Sequence, residues 1–459
     1  MEALEVYVPF VFSNSVDPRA VFTVGDQLLS EHLFAFHFSA TMNNSKNSLF
    51  SQIKIDRENG LVTFELKRKV FTSDGTELTP EKIFNSIKSS FSNTQHTKYS
   101  QLVESITRDA NVINVKFRSI PINLEYWLRS IDFAIVDIDK LPINGSQLYT
   151  TTGPYSIVSL SSSQVELKRN KYFPSDFVSN MVESVIFKSY ASRELKHLFS
   201  NVENFNLAYL YGYAVNQELI DSIKDKNLKI QIFPNEWMVY LGFQKNLSYD
   251  ERSIIFNKID SIKNKLINKL FYGTVSYSTV PSDRAYGLSQ KEYEANKPVL
   301  ESKASTISRK LILATLDEWA DIPIFSYTIS ELEKEFSLEI KKFNRSEMFK
   351  IYHSDYADFY ISPMGISPAD PLGNYSFLYN NNALFSENIS DESITELYKE
   401  NEFKDFSKKV KDIELRILKK SILIPLGHFP GIIVESPALI RDESKSWDWG
   451  IQAWTYKIK

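Results

Sequence analysis

The sequence predicts an α/β fold divided into at least two domains. Segments with the two-residue periodicity of strands alternate with segments whose apolar residues have helical spacing, which is typical of mixed α/β layers. A length of 459 residues predicts two to four domains at roughly 100–200 residues each. No sequence repeat of fixed period occurs, which argues against solenoids and propellers.

A hairpin followed by a capped helix is the clearest local feature. Gln52–Asp56 and Val62–Leu66 alternate apolar and polar residues, and Asn59-Gly60 between them is a strong hairpin signal. Thr79 then precedes Pro80, which predicts a helix with a threonine N-cap and a proline in its first turn.

The same alternation continues to the C-terminus. Predicted strands are Phe133–Val136, Val185–Tyr190, Leu207–Leu210, Lys229–Phe233, Val239–Gln244 and Ile422–Leu426. Predicted helices are Gly25–Phe38, Asn216–Lys224, Asp250–Leu270, Trp319–Phe336 and Asp391–Leu418. A domain boundary is predicted near Phe243, with a return near Pro430.

Composition and charge exclude several classes of protein. The chain has no cysteine, which excludes disulfide scaffolds, thiolate metal sites and cysteine nucleophiles. A formal net charge of −4 argues against a protein that neutralises nucleic-acid phosphates. No run of about 18 apolar residues occurs, so no transmembrane helix is predicted. The first ten residues lack the basic and apolar regions of a signal peptide, which leaves open a cytosolic protein or an exported one with its leader removed.

Motifs for catalysis and metal binding are missing from the sequence. The six histidines form no pair at helical spacing, and His353-x-Asp355 is explained by a solvated surface pair. Ser51 and Lys54 form a Ser-x-x-Lys match, but they lie in a predicted strand, where residues three apart point to opposite faces. We therefore predict no catalytic residue, no metal and no cofactor.

Aromatic residues are the best candidates for ligand contacts. Tyr211 and Tyr213 flank Gly212 directly after a predicted buried strand, and α/β sheets present ligands at such strand ends. Trp237 and Tyr240 lie just before the predicted domain boundary. Aromatic rings between two domains offer large contact areas to a ligand.

Four regions of the chain resemble one known family when read in order. They are Ser15–Pro18 (SVDP), Asp74–Ile83 (DGTELTPEKI), Thr152–Tyr155 (TGPY) with Glu166–Phe173 (ELKRNKYF), and Val239–Gln244 (VYLGFQ). In this combination the chain resembles the family 5 extracellular solute-binding proteins, the oligopeptide- and dipeptide-binding components of ABC importers.

The resemblance implies a two-lobed periplasmic-binding-protein fold (type II, cluster C like) with an extra subdomain in lobe one. Lobe one would comprise residues 1–47, 151–243 and 431–459. Residues 48–150 would form the extra subdomain, and residues 244–430 would form lobe two. The chain would cross between the lobes twice, near Phe243 and near Pro430, and a ligand would be enclosed as the lobes close about these two crossings.

The resemblance, together with the aromatic residues, also gives a predicted ligand-binding set. It comprises Ser13, Asn14, Ser15, Tyr211, Tyr213, Trp237, Tyr240, Met364, Ser367 and Asp370. In peptide-binding members an aspartate three residues before an acidic-Pro pair anchors the peptide ammonium. Here the pair is Asp370-Pro371 and the corresponding residue is Ser367, whose hydroxyl stabilises a buried ammonium poorly. The ligand is therefore left open between a peptide and another small solute.

The resemblance further implies an ABC permease as partner, a monomeric state, and a periplasmic or cell-surface location with the signal peptide removed. Two other functions remain open at this point. Some cytosolic regulators carry the same binding fold behind a DNA-binding domain, although the first fifteen residues contain no helix-turn-helix. A hydrolase would need two convergent titratable side chains in a cleft.

Overall fold

The computed structural model of the protein describes residues 3–13, 17–18, 24–34, 50–67, 69–92, 100–128, 133–140, 150–174, 181–191, 194–199, 205–267, 273–281, 284, 286–299, 306–366, 372–400, 402–442 and 451–458. The strands are β1 Leu4–Val8, β2 Phe50–Asp56, β3 Leu61–Leu66, β4 Val70–Phe71, β5 Glu77–Leu78, β6 Val103–Asp109, β7 Val112–Phe117, β8 Tyr155–Leu160, β9 Gln164–Arg169, β10 Ser184–Ser189, β11 Leu207–Tyr211, β12 Lys229–Phe243, β13 Thr274–Val275, β14 Leu311–Leu316, β15 Leu338–Phe343, β16 Phe359–Gly365, β17 Leu423–Glu435, β18 Leu439–Arg441 and β19 Tyr456–Ile458. The helices are α1 Val24–Leu33, α2 Pro80–Ser92, α3 Leu124–Trp127, α4 Leu195–Leu198, α5 Gln217–Asp225, α6 Tyr249–Ile267, α7 Gln290–Asn296, α8 Asp317–Ala320, α9 Pro323–Glu333, α10 Leu372–Asn381, α11 Ala383–Asn388, α12 Asp391–Lys399 and α13 Phe403–Lys419.

One large mixed sheet organises the described part of the chain. Its strand order is β15-β14-β16-β12-β17-β11-β1-β10-β9-β8, with β13 added beside β17. Strands β1, β10 and β11 pair in parallel, as do β14, β15 and β16. The strands between these two parallel groups pair antiparallel. The predicted α/β class is confirmed.

The long strands β12 and β17 lie in the middle of this sheet and pair with the strands on either side of it. Residues 229–233 of β12 pair with 431–435 of β17, and the register shifts before residues 237–242 pair with 423–429. Strand β11 pairs only with the 431–435 part of β17, whereas β16 pairs with the later part of β12. We call the side with β1 and β8–β11 the first half and the side with β14–β16 the second half.

A smaller sheet lies outside the large one. It has the order β2-β3-β7-β6 and is antiparallel throughout. Helix α2 buries Ile83, Ile87 and Phe91, and Phe91 meets Phe117 of β7 edge-on at 5.8 Å between ring centroids. Residues that follow β7 contact the second half, since the backbone N–H of Ile122 donates to the carbonyl of Glu400 at 3.1 Å.

Local chemistry explains the predicted elements that the structure confirms. Strands β2 and β3 form the predicted hairpin, and Gly60 in its turn has a φ of 63°, in the left-handed region that favours glycine. Helix α2 begins at Pro80, and the hydroxyl of Thr79 accepts a hydrogen bond from the N–H of Lys82 at 3.3 Å.

Five predicted elements differ from the structure. The predicted helix Trp319–Phe336 is two helices, α8 and α9, because Pro323 cannot continue the first and instead opens the second. The predicted helix Asp391–Leu418 is also two helices, α12 and α13, separated at Glu400. Phe133–Val136 is not a strand, and the two strands predicted between Lys229 and Gln244 are the single strand β12. Within the described residues, no helix has the length and apolar character needed to cross a membrane.

Candidate ligand-binding site

The carboxyl ends of two groups of parallel strands face each other across the middle of the large sheet. Strands β1, β10 and β11 run in the same direction as β12, out of the first half and towards the second. Strands β14, β15 and β16 run the opposite way, because β16 pairs antiparallel with β12. Loops at the carboxyl ends of parallel strands are where α/β sheets bind ligands. Here both sets of loops converge on one place.

The turn after β11 brings two tyrosines to this place. Strand β11 ends at Tyr211, and a short 3₁₀ helix, Gly212–Ala214, reverses the chain. A side chain at residue 212 would collide with the backbone of Pro430, since a Cβ there would lie 2.4 Å from the Pro430 oxygen. Glycine therefore allows the turn to pack directly against β17.

Tyr211, Tyr213 and Trp237 form one aromatic cluster. The rings of Tyr211 and Tyr213 stack at 5.0 Å between centroids, and Trp237 meets Tyr211 edge-on at 4.5 Å. Phe10, just after β1, adds a tilted contact with Tyr211 at 6.2 Å. Phe325 of α9 meets Tyr213 at 6.1 Å, so the cluster joins the two halves. Burial raises the pKa of both tyrosines.

A buried carboxyl group lies beside this cluster. The hydroxyl of Tyr209 donates to Oε2 of Glu236 at 2.7 Å, and Trp237 Nε1 donates to the same hydroxyl at 2.8 Å. Oε1 of Glu236 is shut off from solvent and has no hydrogen-bond partner among the described residues. Burial raises the pKa of Glu236 to about 7, against the lowering effect of the Tyr209 hydrogen bond.

An ion pair from the second half reaches the same region. Arg345, directly after β15, pairs through Nε with Oε2 of Glu318, which follows β14. Nη2 of Arg345 also donates to the carbonyl of Pro9 in the first half at 3.3 Å. The Arg345 charge lowers the pKa of Tyr211 and the Glu318 charge raises it, both less strongly than burial. Burial raises the pKa of Glu318, and the Arg345 charge opposes this rise.

The other described residues of the predicted set lie elsewhere. Tyr240 is fully buried and packs edge-on against Tyr360 at 5.8 Å, away from the aromatic cluster. Met364 is a buried residue of β16 opposite Met238 of β12. The backbone N–H of Ser13 donates to the carboxylate of Asp26 in α1 at 2.9 Å. Four predicted residues, Asn14, Ser15, Ser367 and Asp370, lie outside the described residues.

Sequence reasoning missed Tyr209, Glu236, Glu318 and Arg345. Tyr209 could have been found, because it lies two residues before Tyr211 in one strand and so faces the same side. The other three carry no local signal, since charged residues are mostly exposed to solvent in folded proteins.

The arrangement combines aromatic faces, a buried carboxyl group and an arginine–glutamate pair. Small-molecule sites in proteins are lined in this way, by apolar and aromatic side chains with a few placed polar groups. Among the described residues, no group of three or more acidic or histidine side chains is placed to hold a metal ion.

Solved structures of other proteins have a similar fold over the full chain. A dipeptide-binding protein from Pseudoalteromonas in complex with Met-Leu superposes with a TM-score of 0.80 at 13% identity, covering 100% of both chains. The chain has the two-lobed fold of the periplasmic binding proteins.

Two further solved structures have a similar fold and contain other ligands. NikA from Staphylococcus aureus in complex with Ni(L-His)2 has a TM-score of 0.75 at 17% identity, covering 100% of both chains. The ABC transporter-associated periplasmic binding protein DppA from Helicobacter pylori, in complex with the peptide STSA, has a TM-score of 0.75 at 13% identity, covering 100% of this chain and 98% of the other. No protein-family model and no curated protein matches the sequence. The fold predicted from the four motifs is confirmed.

Proposed function

We propose that the protein is an extracytoplasmic solute-binding protein that captures a small ligand between its two lobes and delivers it to an ABC importer. One observation carries the proposal: the carboxyl ends of the parallel strands in both halves converge on the cluster of Tyr211, Tyr213 and Trp237. Structures with this fold at full coverage contain a dipeptide, a peptide or a nickel–histidine complex. Their ligands differ, so the solute of this protein is a peptide or a compound of similar size.

The hinge of this protein is proposed to lie at Pro234–Glu236 and at Pro430. The pairing of β12 with β17 shifts between Phe233 and Trp237, and Asn235 has a φ of 58°. Both segments contain a proline, which removes a donor from the ladder. Because β12 continues unbroken from Trp237 to Phe243, we place the first crossing before Trp237. Lobe two then begins near residue 237, ends near Pro430, and leaves residues 48–150 as the subdomain of lobe one.

The structure described here corresponds, in this proposal, to the closed state. The contacts of Arg345 with Pro9 and of Phe325 with Tyr213 join the two lobes. A signal to a transporter requires that ligand binds the closed state more tightly than the open state. We propose that these contacts contribute to that difference.

The remaining parts of the proposal follow from the function. The protein acts as a monomer, binds without catalysing a reaction, and works in the periplasm or at the cell surface beside its permease. Binding residues are proposed to be Tyr211, Tyr213 and Trp237, with Ser13, Asn14, Ser15, Tyr240, Met364, Ser367 and Asp370 as further candidates.

Native mass spectrometry of protein purified from its own source tests this function. Closed binding proteins retain ligand, so we expect a discrete mass increment above the polypeptide mass. The same sample under denaturing conditions should lose the increment and release one small compound. A protein that carries no increment, and that takes up none when incubated with extracts of its growth medium, would contradict the proposal.

A further inference from the structure

Glu236 has a position that the proposed function does not yet explain. We propose that its carboxylate holds a cationic group of the ligand, an ammonium or a guanidinium. This inference rests on the solute-binding function proposed above and names the charge of the solute.

The position of Glu236 is built into the crossing between the two halves. Its carbonyl accepts a hydrogen bond from the N–H of Ile366 at 2.8 Å, just after β16. Its carboxylate lies against Gly431 of β17, where a Cβ would come within 1.7 Å of Oε2. Only a residue without a side chain allows this approach, so the backbone of β17 leaves room for the carboxylate.

The carboxylate lacks a counter-charge in the described part of the chain. Oε2 accepts from Tyr209, whereas Oε1 is buried without a partner, and no ion pair to Glu236 is formed among the described residues. Arg345, the cation of this region, is held by Glu318. A buried carboxylate without a cation is costly, and this cost is visible in its pKa, raised to about 7. A cationic group of the ligand would offset this cost.

Aromatic rings complete the chemistry of a cation site. Tyr209 and Trp237 contact each other through the hydrogen bond beside Glu236, and Tyr211 lies against both rings, at 6.0 Å and 4.5 Å between centroids. Ring faces attract ammonium and guanidinium groups, and the attraction grows when water is excluded. A neutral hydroxyl group could bond to Oε1 but would not offset the buried charge.

The test is a ligand-selection measurement on the full chain, freed of bound solute by unfolding in urea and refolding. The protein is incubated with an equimolar mixture of amino acids, di- and tripeptides, their N-acetylated counterparts, putrescine, agmatine, Ni(II) with L-histidine, and neutral sugars. Native mass spectrometry then identifies the retained compounds. We expect the wild type to retain compounds with a free cationic group. Agmatine carries both an ammonium and a guanidinium, so retention of putrescine indicates ammonium recognition, and retention of agmatine without putrescine indicates guanidinium recognition.

Three variants test whether Glu236 is the source of the preference for cations. Glu236→Gln, which keeps the size of the side chain, should bind the selected cation at least about tenfold more weakly. Glu236→Asp keeps the charge and should keep the preference for cations, even at lower affinity. Glu335→Gln, at an exposed acid paired with Lys258, should behave as the wild type.

The outcomes separate this inference from the function on which it rests. Retention of N-acetylated, neutral or nickel-bound compounds in place of free cations would overturn the role of Glu236 and leave solute binding intact. Unchanged retention by Glu236→Gln would overturn it in the same way. A folded wild type that retains nothing from the mixture would contradict the solute-binding function itself.

Discussion

The hydroxyl of Tyr209 lies 2.7 Å from Oε2 of Glu236 and links β11 of the first half to the crossing segment of β12. Trp237 Nε1 donates to the same hydroxyl, so the proton of the hydroxyl points towards Glu236. These two hydrogen bonds hold the carboxyl group where β12 passes from the first half to the second.

The stability of the ligand-free protein should depend on pH through Glu236. Burial raises its pKa from 4.5 to about 7, so the folded protein holds a proton that the unfolded chain releases in this range. The contribution of this protonated carboxyl group to the free energy of unfolding is fully present below pH 4.5 and is lost as the pH rises through 7. At pH 8, Glu236→Gln should be more stable than the wild type by on the order of 2 kcal/mol, while at pH 4.5 the two should be similar.

Urea denaturation at a series of pH values measures this difference. Glu31 and His32, whose pKa values burial shifts to about 8 and about 4, are present in both proteins and cancel in the comparison. The groups that face Glu236 from neighbouring strands are Tyr209 and the backbone of Gly431. A difference between variant and wild type that stays constant across pH would contradict the assigned shift.

Replacement of Tyr211 should weaken ligand binding through the loss of its ring. Tyr211→Ala removes the surface that contacts Tyr213 and Trp237, and we expect the Kd to rise by about tenfold or more. Tyr211→Phe keeps the ring and should bind within a few-fold of the wild type. Isothermal titration calorimetry with the solute recovered from the native protein gives both values. Equal affinity of Tyr211→Ala and wild type would place the solute elsewhere.

Arg345 should control how long the ligand is held. Arg345→Ala removes the contact with the Pro9 carbonyl and leaves Glu318 without its partner. Interface changes act mainly on dissociation, so we expect faster ligand release with little change in the association rate. Stopped-flow displacement measures both rates.

A double variant separates the two effects of this change. The double variant Arg345→Ala, Glu318→Gln has no unpaired charge at residue 318, but it still lacks the contact between the halves. Fast release should persist in the double variant. If it returns to the wild-type rate, the ion pair affects local stability and not closure.

Gly431 should tolerate no side chain. Gly431→Ala would place a Cβ 1.7 Å from Oε2 of Glu236 and 2.6 Å from the Tyr209 hydroxyl, so the carboxylate must move. We expect destabilisation of about 1–3 kcal/mol together with loss of cation preference. Gly373→Ala is the matched control, because nothing lies within 4 Å of a Cβ there. Similar thermal unfolding of the two variants would contradict the close packing at the crossing.

Local chemistry made much of the fold predictable, and tertiary contacts explain what was missed. The hairpin at Gly60 and the cap at Thr79 depend on neighbouring residues alone. The break before Pro323 was also readable, since proline favours the first turn of a helix. The break at Glu400 was not, because its carbonyl accepts from the N–H of Ile122, which is distant in the sequence.

In the candidate site, too, neighbouring residues in the sequence predict some members, and contacts between distant strands determine the others. Tyr211 and Tyr213 were predictable from the glycine between them at a strand end. Trp237 and Tyr240 are an odd number of residues apart in one strand, which places them on opposite faces, and only Trp237 reaches the cluster. Glu236 and Arg345 acquire their neighbours from pairing between distant strands, which one sequence does not reveal.

The measurement that tests the central claim most directly is small-angle X-ray scattering of the protein with and without its solute. Ligand-free protein is prepared by unfolding and refolding, and the solute recovered by native mass spectrometry is then added back. Because the lobes are proposed to close around the ligand at Pro234–Glu236 and Pro430, we predict that the radius of gyration falls on addition. A solute that binds and leaves the radius of gyration unchanged would contradict closure of the two halves as the basis of function.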